Sequence, residues 1–305
     1  MTVEDIARRI DGLDLWSALS PYHWAIKPRG TALPYFCVIM KGDGAPVKAR
    51  LLMLEGWQTF HDFIRVQLDG NYGFCSSPAE FPHYELIVAS NGEPAKLFRY
   101  DTGYVPVEAA EAQRTFCEKM LWEVFGVMMR VESDRTLPLR FATEKAMFAR
   151  VEGADGNWRD EPMAIPDVRP HVERIAFDKA DLKQVKDLPF TSGESIEVDF
   201  RILPGVVTRE DRPRLCYVLA VVDGTTGNVL VWDRLSVARE SGLRGLWESM
   251  PSRFLRHLIR LGHVPGEVKV VSGRVFRMLR PICMDVSFRL SLHNSLPRLE
   301  AAIKS

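Results

Sequence analysis

An α+β region followed by an α/β domain is the fold class that this 305-residue sequence predicts, and three observations carry it. The first is a hairpin. Leu215–Val222 and Val229–Trp232 are apolar runs on either side of Asp223-Gly224-Thr225-Thr226-Gly227. Val218, Val221, Val222, Val229 and Val231 are β-branched, and Tyr217 and Trp232 are aromatic, which suits a pleated surface. Asp and Gly supply the turn positions between them. The second is an alternating strand, in which Ile196, Val198, Phe200 and Ile202 interleave with Glu197, Asp199 and Arg201. The third is the pattern beyond the hairpin: helical spacing over Leu243–Leu261 and Arg274–Val286, strands at Glu267–Val271 and Phe288–Leu292, and a last helix at Leu296–Ile303. From Gly193 onward the order is β-β-β-α-β-α-β-α, which predicts a mixed sheet.

The elements before Gly193 are less regular. Ile6, Ile10, Leu13, Trp16 and Leu19 give an amphipathic helix over Val3–Leu19, broken at Gly12. His23–Lys27, Pro34–Met40 and Arg50–Leu54 read as strands, with a turn at Lys41–Gly44. Trp57–Leu68 carries Trp57, Phe60 and Phe63 on one helical face, and Asn71–Pro82 reads as a loop. Tyr84–Ala89 and Ala95–Tyr100 form a hairpin around Asn91-Gly92. The longest helix is expected over Glu108–Val131, with Phe116, Met120, Leu121, Val124, Met128 and Val131 as a core stripe. Met147–Val151 and Trp158–Ile165 pair across Gly153–Gly156. A strand at Val172–Phe177 and a charged helix at Asp178–Leu188 occupy a Pro-rich connection. The expected organisation is an irregular α+β domain over 1–165, a connecting segment over 166–192, and an α/β domain over 193–305.

Composition narrows the classes. Apolar residues make up 46% and charged residues 26%, ordinary for a globular protein. No apolar run reaches the ~20 residues of a membrane span, and the charged N-terminus has no signal-peptide core. The five cysteines (Cys37, Cys75, Cys117, Cys216, Cys283) are scattered and never form CxxC, so they read as buried thiols. A reducing cytoplasmic location is the expectation. The net charge of zero divides unevenly. Arg234–Ser305 holds 13 Lys/Arg against 5 Asp/Glu, a net of +8, which leaves −8 for Met1–Asp233.

The element order and the YVLAVVDGTTGNV hairpin resemble the ribonuclease-H-like fold over Gly193–Ser305. The whole chain also resembles a bacterial family of two-domain proteins without an assigned activity. The resemblance lies in VIMKGDG and LLMLEG (38–44 and 51–56), GYVPVEAAEA (103–112), VPGEVKVVSGRVFRMLRPIC (264–283) and SLPRLEAAI (295–303). Active ribonuclease-H-like nucleases hold two Mg²⁺ ions with acids on the first strand, near the end of the fourth strand or on the first helix, and on the last helix. The resemblance places Asp199, Glu248 and Glu300 in those roles. The fourth strand ends in Val271-Ser272-Gly273, where an acid is wanted. No cofactor is expected, and Mg²⁺ only if cleavage is retained. The resemblance therefore implies a non-enzymatic interaction or regulatory module, with a nucleic-acid binder or divergent nuclease as the alternative.

Other motifs lead elsewhere or nowhere. The DGTTG turn lacks the Lys and adjoining helix of a phosphate-binding loop, and the seven His show no HxxxH, HxH or HExxH spacing. Ser272 is placed as a helix N-cap rather than a nucleophile. Arg253, Arg256 and Arg260 form one helical stripe, and Arg274, Arg277 and Arg280 another. Arginine forks match phosphate and carboxylate geometry, so these six are the candidate anion- or nucleic-acid-binding residues. Solvated or internally paired charge is the competing reading. A partner protein or a nucleic acid is the expected partner class.

Overall fold

The computed structural model describes residues 2–20, 22–44, 46–68, 80–140, 143, 145–167, 175–203, 213–237 and 242–304. The chain divides into two compact units. One comprises Met1–Ile64, Phe81–Asp101 and Pro106–Pro170, the other Arg65–Glu80, Thr102–Val105 and His171–Ser305.

The first unit contains α1 (Val3–Gly12), α2 (Trp16–Leu19), β1 (His23–Lys27), β2 (Tyr35–Gly44), β3 (Val47–Glu55), α3 (Gly56–Leu68) as far as Ile64, β4 (His83–Ala89), β5 (Lys96–Tyr100), β6 (Val107–Glu108), α4 (Glu111–Ser133), α5 (Leu137–Arg140), β7 (Ala146–Glu152) and β8 (Trp158–Ala164). Its strands form one sheet in the order β6-β5-β4-β3-β2-β1-β7-β8, antiparallel except for β1–β7. One face packs Trp24, Cys37, Leu51, Met53 and Leu86 against α1 and α4. On the other, Phe60 of α3 stacks on Phe36 at 4.4 Å.

Two expectations need correction. No turn interrupts Lys41–Gly44. Strand β2 runs on to Gly44 with a register shift between Lys41 and Gly44, because Gly42 lets the Val47 carbonyl come where a Cβ would stand 1.9 Å away. The long helix starts three residues late. Val107 and Glu108 pair with β5, and Ala109 N–H donates to the Leu97 carbonyl at 2.9 Å. The helix opens only after Ala110, whose N–H is capped by Gln113 Oε1.

The same face that carries Phe36 buries polar groups. His83 Nδ1–H donates to the Phe81 carbonyl at 2.7 Å, and its ring stacks on Tyr100 at 4.2 Å. Two residues on, Glu85 is fully buried and accepts from Arg50 at 3.0 Å. Cys37 and Cys117 are buried, and burial pushes both thiols upward.

The second unit contains α6 (Lys179–Lys186), β9 (Phe190–Leu203), β10 (Cys216–Asp223), β11 (Val229–Ser236), α7 (Gly242–Leu261), β12 (Val264–Val270), α8 (Gly273–Val286), β13 (Arg289–Leu292) and α9 (Pro297–Lys304). The sheet order is β11-β10-β9-β12-β13. The three hairpin-linked strands are antiparallel, and β12 runs parallel to both β9 and β13. The predicted succession of elements is present in full. Strand β10 is buried from Cys216 to Val222, as its unbroken apolar run requires. Asp223 Oδ1 accepts from Thr225 and Thr226 N–H and from the Thr226 hydroxyl, which closes the turn. Those bonds, led by the Thr226 N–H, hold the Asp223 carboxyl below its ordinary range. Ser272 caps α8 by accepting from Val275 N–H at 3.2 Å. Helix α7 continues across Pro251.

Other boundaries differ. Strand β9 begins at Phe190, within the expected connection, because Phe190 and Thr191 pair with Val264 and Pro265 of β12. Ile175–Phe177 is not strand, and the rest of the strand expected at Val172–Phe177 lies outside the described residues, as does most of the loop expected at Asn71–Pro82, with Cys75. The larger correction concerns the predicted polar face of β9. Glu197 and Asp199 are buried rather than solvated. Helices α6, α7 and α8 pack together, with Trp247 of α7 edge-on to Phe200 at 4.7 Å. Helix α9 lies on the opposite face, with Leu296 and Leu299 against Val218, Ala220 and Val222. Helices on both faces leave no wet side for the alternating charges.

Two measurements check this packing. A Cβ on Gly266 would stand 2.3 Å from the Ser192 carbonyl oxygen across the β9–β12 register shift. Gly266→Ala is expected to cost about 1–3 kcal/mol in urea unfolding, the range for forced backbone displacement. Burial holds His83 down at about 4, against 6.5 in the open chain. Its neutral form therefore stabilises the fold fully above pH 6.5, and that contribution is lost as pH falls toward 4. The expected loss is about 3 kcal/mol. In His83→Phe, this part of the pH dependence of unfolding should vanish.

Candidate functional site

Strand β9 supplies the acids. On the α9 side, Glu197 Oε2 accepts from Leu299 N–H at 2.8 Å, which satisfies a donor in the first turn of α9. Asp199, fully buried, accepts from Phe200 N–H at 2.8 Å and from the Arg201 guanidinium. Glu248 sits on α7, across the sheet from Asp199, and accepts from Arg244 at 2.8 Å. Glu300 shares the α9 side but turns its Oε1 back to Leu296 N–H at 3.3 Å. The three acids placed by resemblance are thus not brought to one point. Among the described residues, no group of three or more His, Cys, Asp or Glu is arranged to hold a metal ion.

A further carboxylate, which sequence reasoning passed over, gathers three side-chain donors. Glu80 Oε1 accepts from the Tyr217 hydroxyl at 3.2 Å and from Trp247 Nε1–H at 3.3 Å, while Oε2 accepts from Arg274 at 3.1 Å. The Arg274 guanidinium lies 3.6 Å over the Trp247 ring. Burial, then the nearby Glu80 charge, holds the Tyr217 hydroxyl well above its ordinary range. Helical spacing points Arg274 outward. It turns in because a buried carboxylate and an indole face are both within its reach.

The arginines of the two stripes differ in exposure. Arg253 donates to Asp233 at 3.1 Å and to the Ser249 hydroxyl. Arg256 is exposed, yet donates to Asp181 of α6 at 3.1 Å. Arg260, Arg277 and Arg280 are exposed. Beside Arg260 a cleft of about 300 Å³ opens between β11 and the C-terminal half of α7. Asp233 and His257 line it. His257 Nε2 lies 3.7 Å from Asp233 Oδ2. Burial lowers the His257 pKa, and Asp233 opposes that shift. Sequence reasoning singled out neither Asp233 nor His257. The three-residue step from His257 to Arg260 was the available signal, and it carried no partner.

Removing the Glu80 carboxylate strands three donors. Glu80→Ala is expected to lower stability by about 3–5 kcal/mol, as when one member of a buried pair is deleted. Glu80→Gln keeps an acceptor for Tyr217 and Trp247 and should lose less. Urea denaturation monitored by tryptophan fluorescence measures both.

A family model described as a domain of unknown function (DUF6930) matches residues 181–305, the stretch that runs from α6 to α9. No curated protein and no solved structure matches the chain. Among the described residues no helix is long and apolar enough to cross a membrane. The chain is thus similar, over its C-terminal 125 residues, to a family whose function is not assigned.

Proposed function

We propose that the second unit is a ribonuclease-H-like scaffold that has lost metal-dependent cleavage and serves as a non-enzymatic interaction or regulatory module. The sheet order β11-β10-β9-β12-β13, with its first three strands antiparallel, supports the fold reading. The observation that carries the functional reading is the state of Asp199. Its carboxylate has no solvent exposure and is taken up by Arg201. A Mg²⁺ ion keeps several of its waters when a protein binds it, so it needs a wet carboxylate. Freeing Asp199 would take a charged partner from the partly buried Arg201 guanidinium. Glu197, the other acid on that face, is committed to α9.

The outer arginines support a second reading. Arg260, Arg277 and Arg280 are exposed on α7 and α8, and a nucleic acid would meet them as a phosphate-binding surface. In this reading the partner is RNA or DNA, and binding weakens steeply with salt.

Incubation with single-stranded DNA, RNA and RNA–DNA hybrid in Mg²⁺ or Mn²⁺ is expected to give no cleavage above buffer. Cleavage that Asp199→Ala abolishes would overturn the proposal. Asp199→Asn should instead lower stability by about 3 kcal/mol, because it removes a buried carboxylate that meets the Arg201 guanidinium.

A further inference from the structure

We propose that the cleft between β11 and α7 binds a small organic phosphate, a phosphate monoester carried on an apolar body. The cleft is of ligand size. Its volume of about 300 Å³ lies at the lower end of small-molecule sites. Val231 from β11 and Leu261 from α7 give it an apolar side, while the Trp232 ring packs on the α9 face.

Three observations give the polar half of the ligand. Arg260 is exposed at the cleft and, among the described residues, has neither a carboxylate nor a hydrogen-bond partner, unlike Arg253 and Arg256. Asp233 is already neutralised by Arg253, so the cleft presents a net positive charge to a group entering it. His257 is 4% exposed, and neither ring nitrogen makes a hydrogen bond. With Asp233 Oδ2 at 3.7 Å, beyond hydrogen-bond length, this buried imidazole gains from a closer acceptor.

The group that fits must accept from a guanidinium fork and share a proton with an imidazole. A phosphate monoester does both, since its oxygens match the fork and its second proton leaves at pH about 6. Among the described strands β11 pairs with β10 alone, so its outer edge can offer backbone groups to the ligand body. The site stands apart from the acids of β9 and does not rest on the loss of cleavage.

Isothermal titration calorimetry on the full chain tests this with phenyl phosphate, inorganic phosphate and phenol as probes. Phenyl phosphate is expected to bind saturably at one site with Kd of about 1 mM or tighter, and the two half-probes at least about tenfold more weakly. Arg260→Ala should raise the Kd for phenyl phosphate at least about tenfold, and His257→Gln should raise it less. Arg8→Ala, the same charge change on exposed α1, should leave it unchanged. The proposal is overturned by absence of saturable phenyl phosphate binding up to about 10 mM, by unchanged affinity in Arg260→Ala, or by an equal loss in Arg8→Ala, which would mean general charge attraction only. Arg260 is on the surface, so its replacement tests the site without endangering the fold.

Discussion

A sheet covered by helices on both faces gives the acids Glu197 and Asp199 of its central strand no route to water, and much of the second unit derives from that constraint. Strand β9 alternates apolar and charged residues as a one-sided strand does, yet both sides are closed. Each acid on the closed side therefore needs donors from within the protein. Glu197 takes a backbone N–H from α9, and Asp199 takes Arg201 together with a main-chain N–H. On the α7 side, Glu80 draws Tyr217, Trp247 and Arg274 together. Such arrangements hold one geometry firmly, because an unmet partner in a low-dielectric interior is costly.

The sequence made the apolar architecture of this unit readable and left its polar architecture hidden. Valines and aromatics around DGTTG declared β10 and β11, and the 3.6-residue spacing of Leu246, Met250, Phe254 and Leu258 declared α7. These signals are local, since period and propensity sit within a dozen residues. Burial of Glu197 and Asp199 depends on α9, about a hundred residues further on. The partners of Glu80 lie 137, 167 and 194 residues away. No period links such positions. The same limit explains the arginines: the stripes were visible, but Asp233, Asp181 and Glu80, which take up Arg253, Arg256 and Arg274, were not.

The first unit shows the same division. Its core of Trp24, Cys37, Leu51 and Met53 comes from alternation along β1, β2 and β3. His83 and Glu85, on the other face, occupy positions that alternation alone assigns to solvent, and α3 covers that face. Glycine accounts for the missed edge of β2, because Gly42 admits a backbone approach that reads in sequence as a turn. The apolar surroundings of the cysteines are a sound guide to their state. Cys37, Cys117 and Cys216 are buried and free, and Cys283 is free and partly buried.

The position of α9 in the chain bears on how the unit comes to be made. Synthesis proceeds from the N-terminus, so β9 and β10 leave the ribosome well before Pro297–Lys304. Until that helix arrives, Val218, Ala220 and Val222 face water together with Glu197, and the parallel strands β12 and β13 that extend the sheet are themselves late. The nascent unit must wait with an apolar sheet face uncovered, a state open to chaperones and to mispairing with neighbouring chains. The eight residues of α9 thus complete the cover of this sheet face.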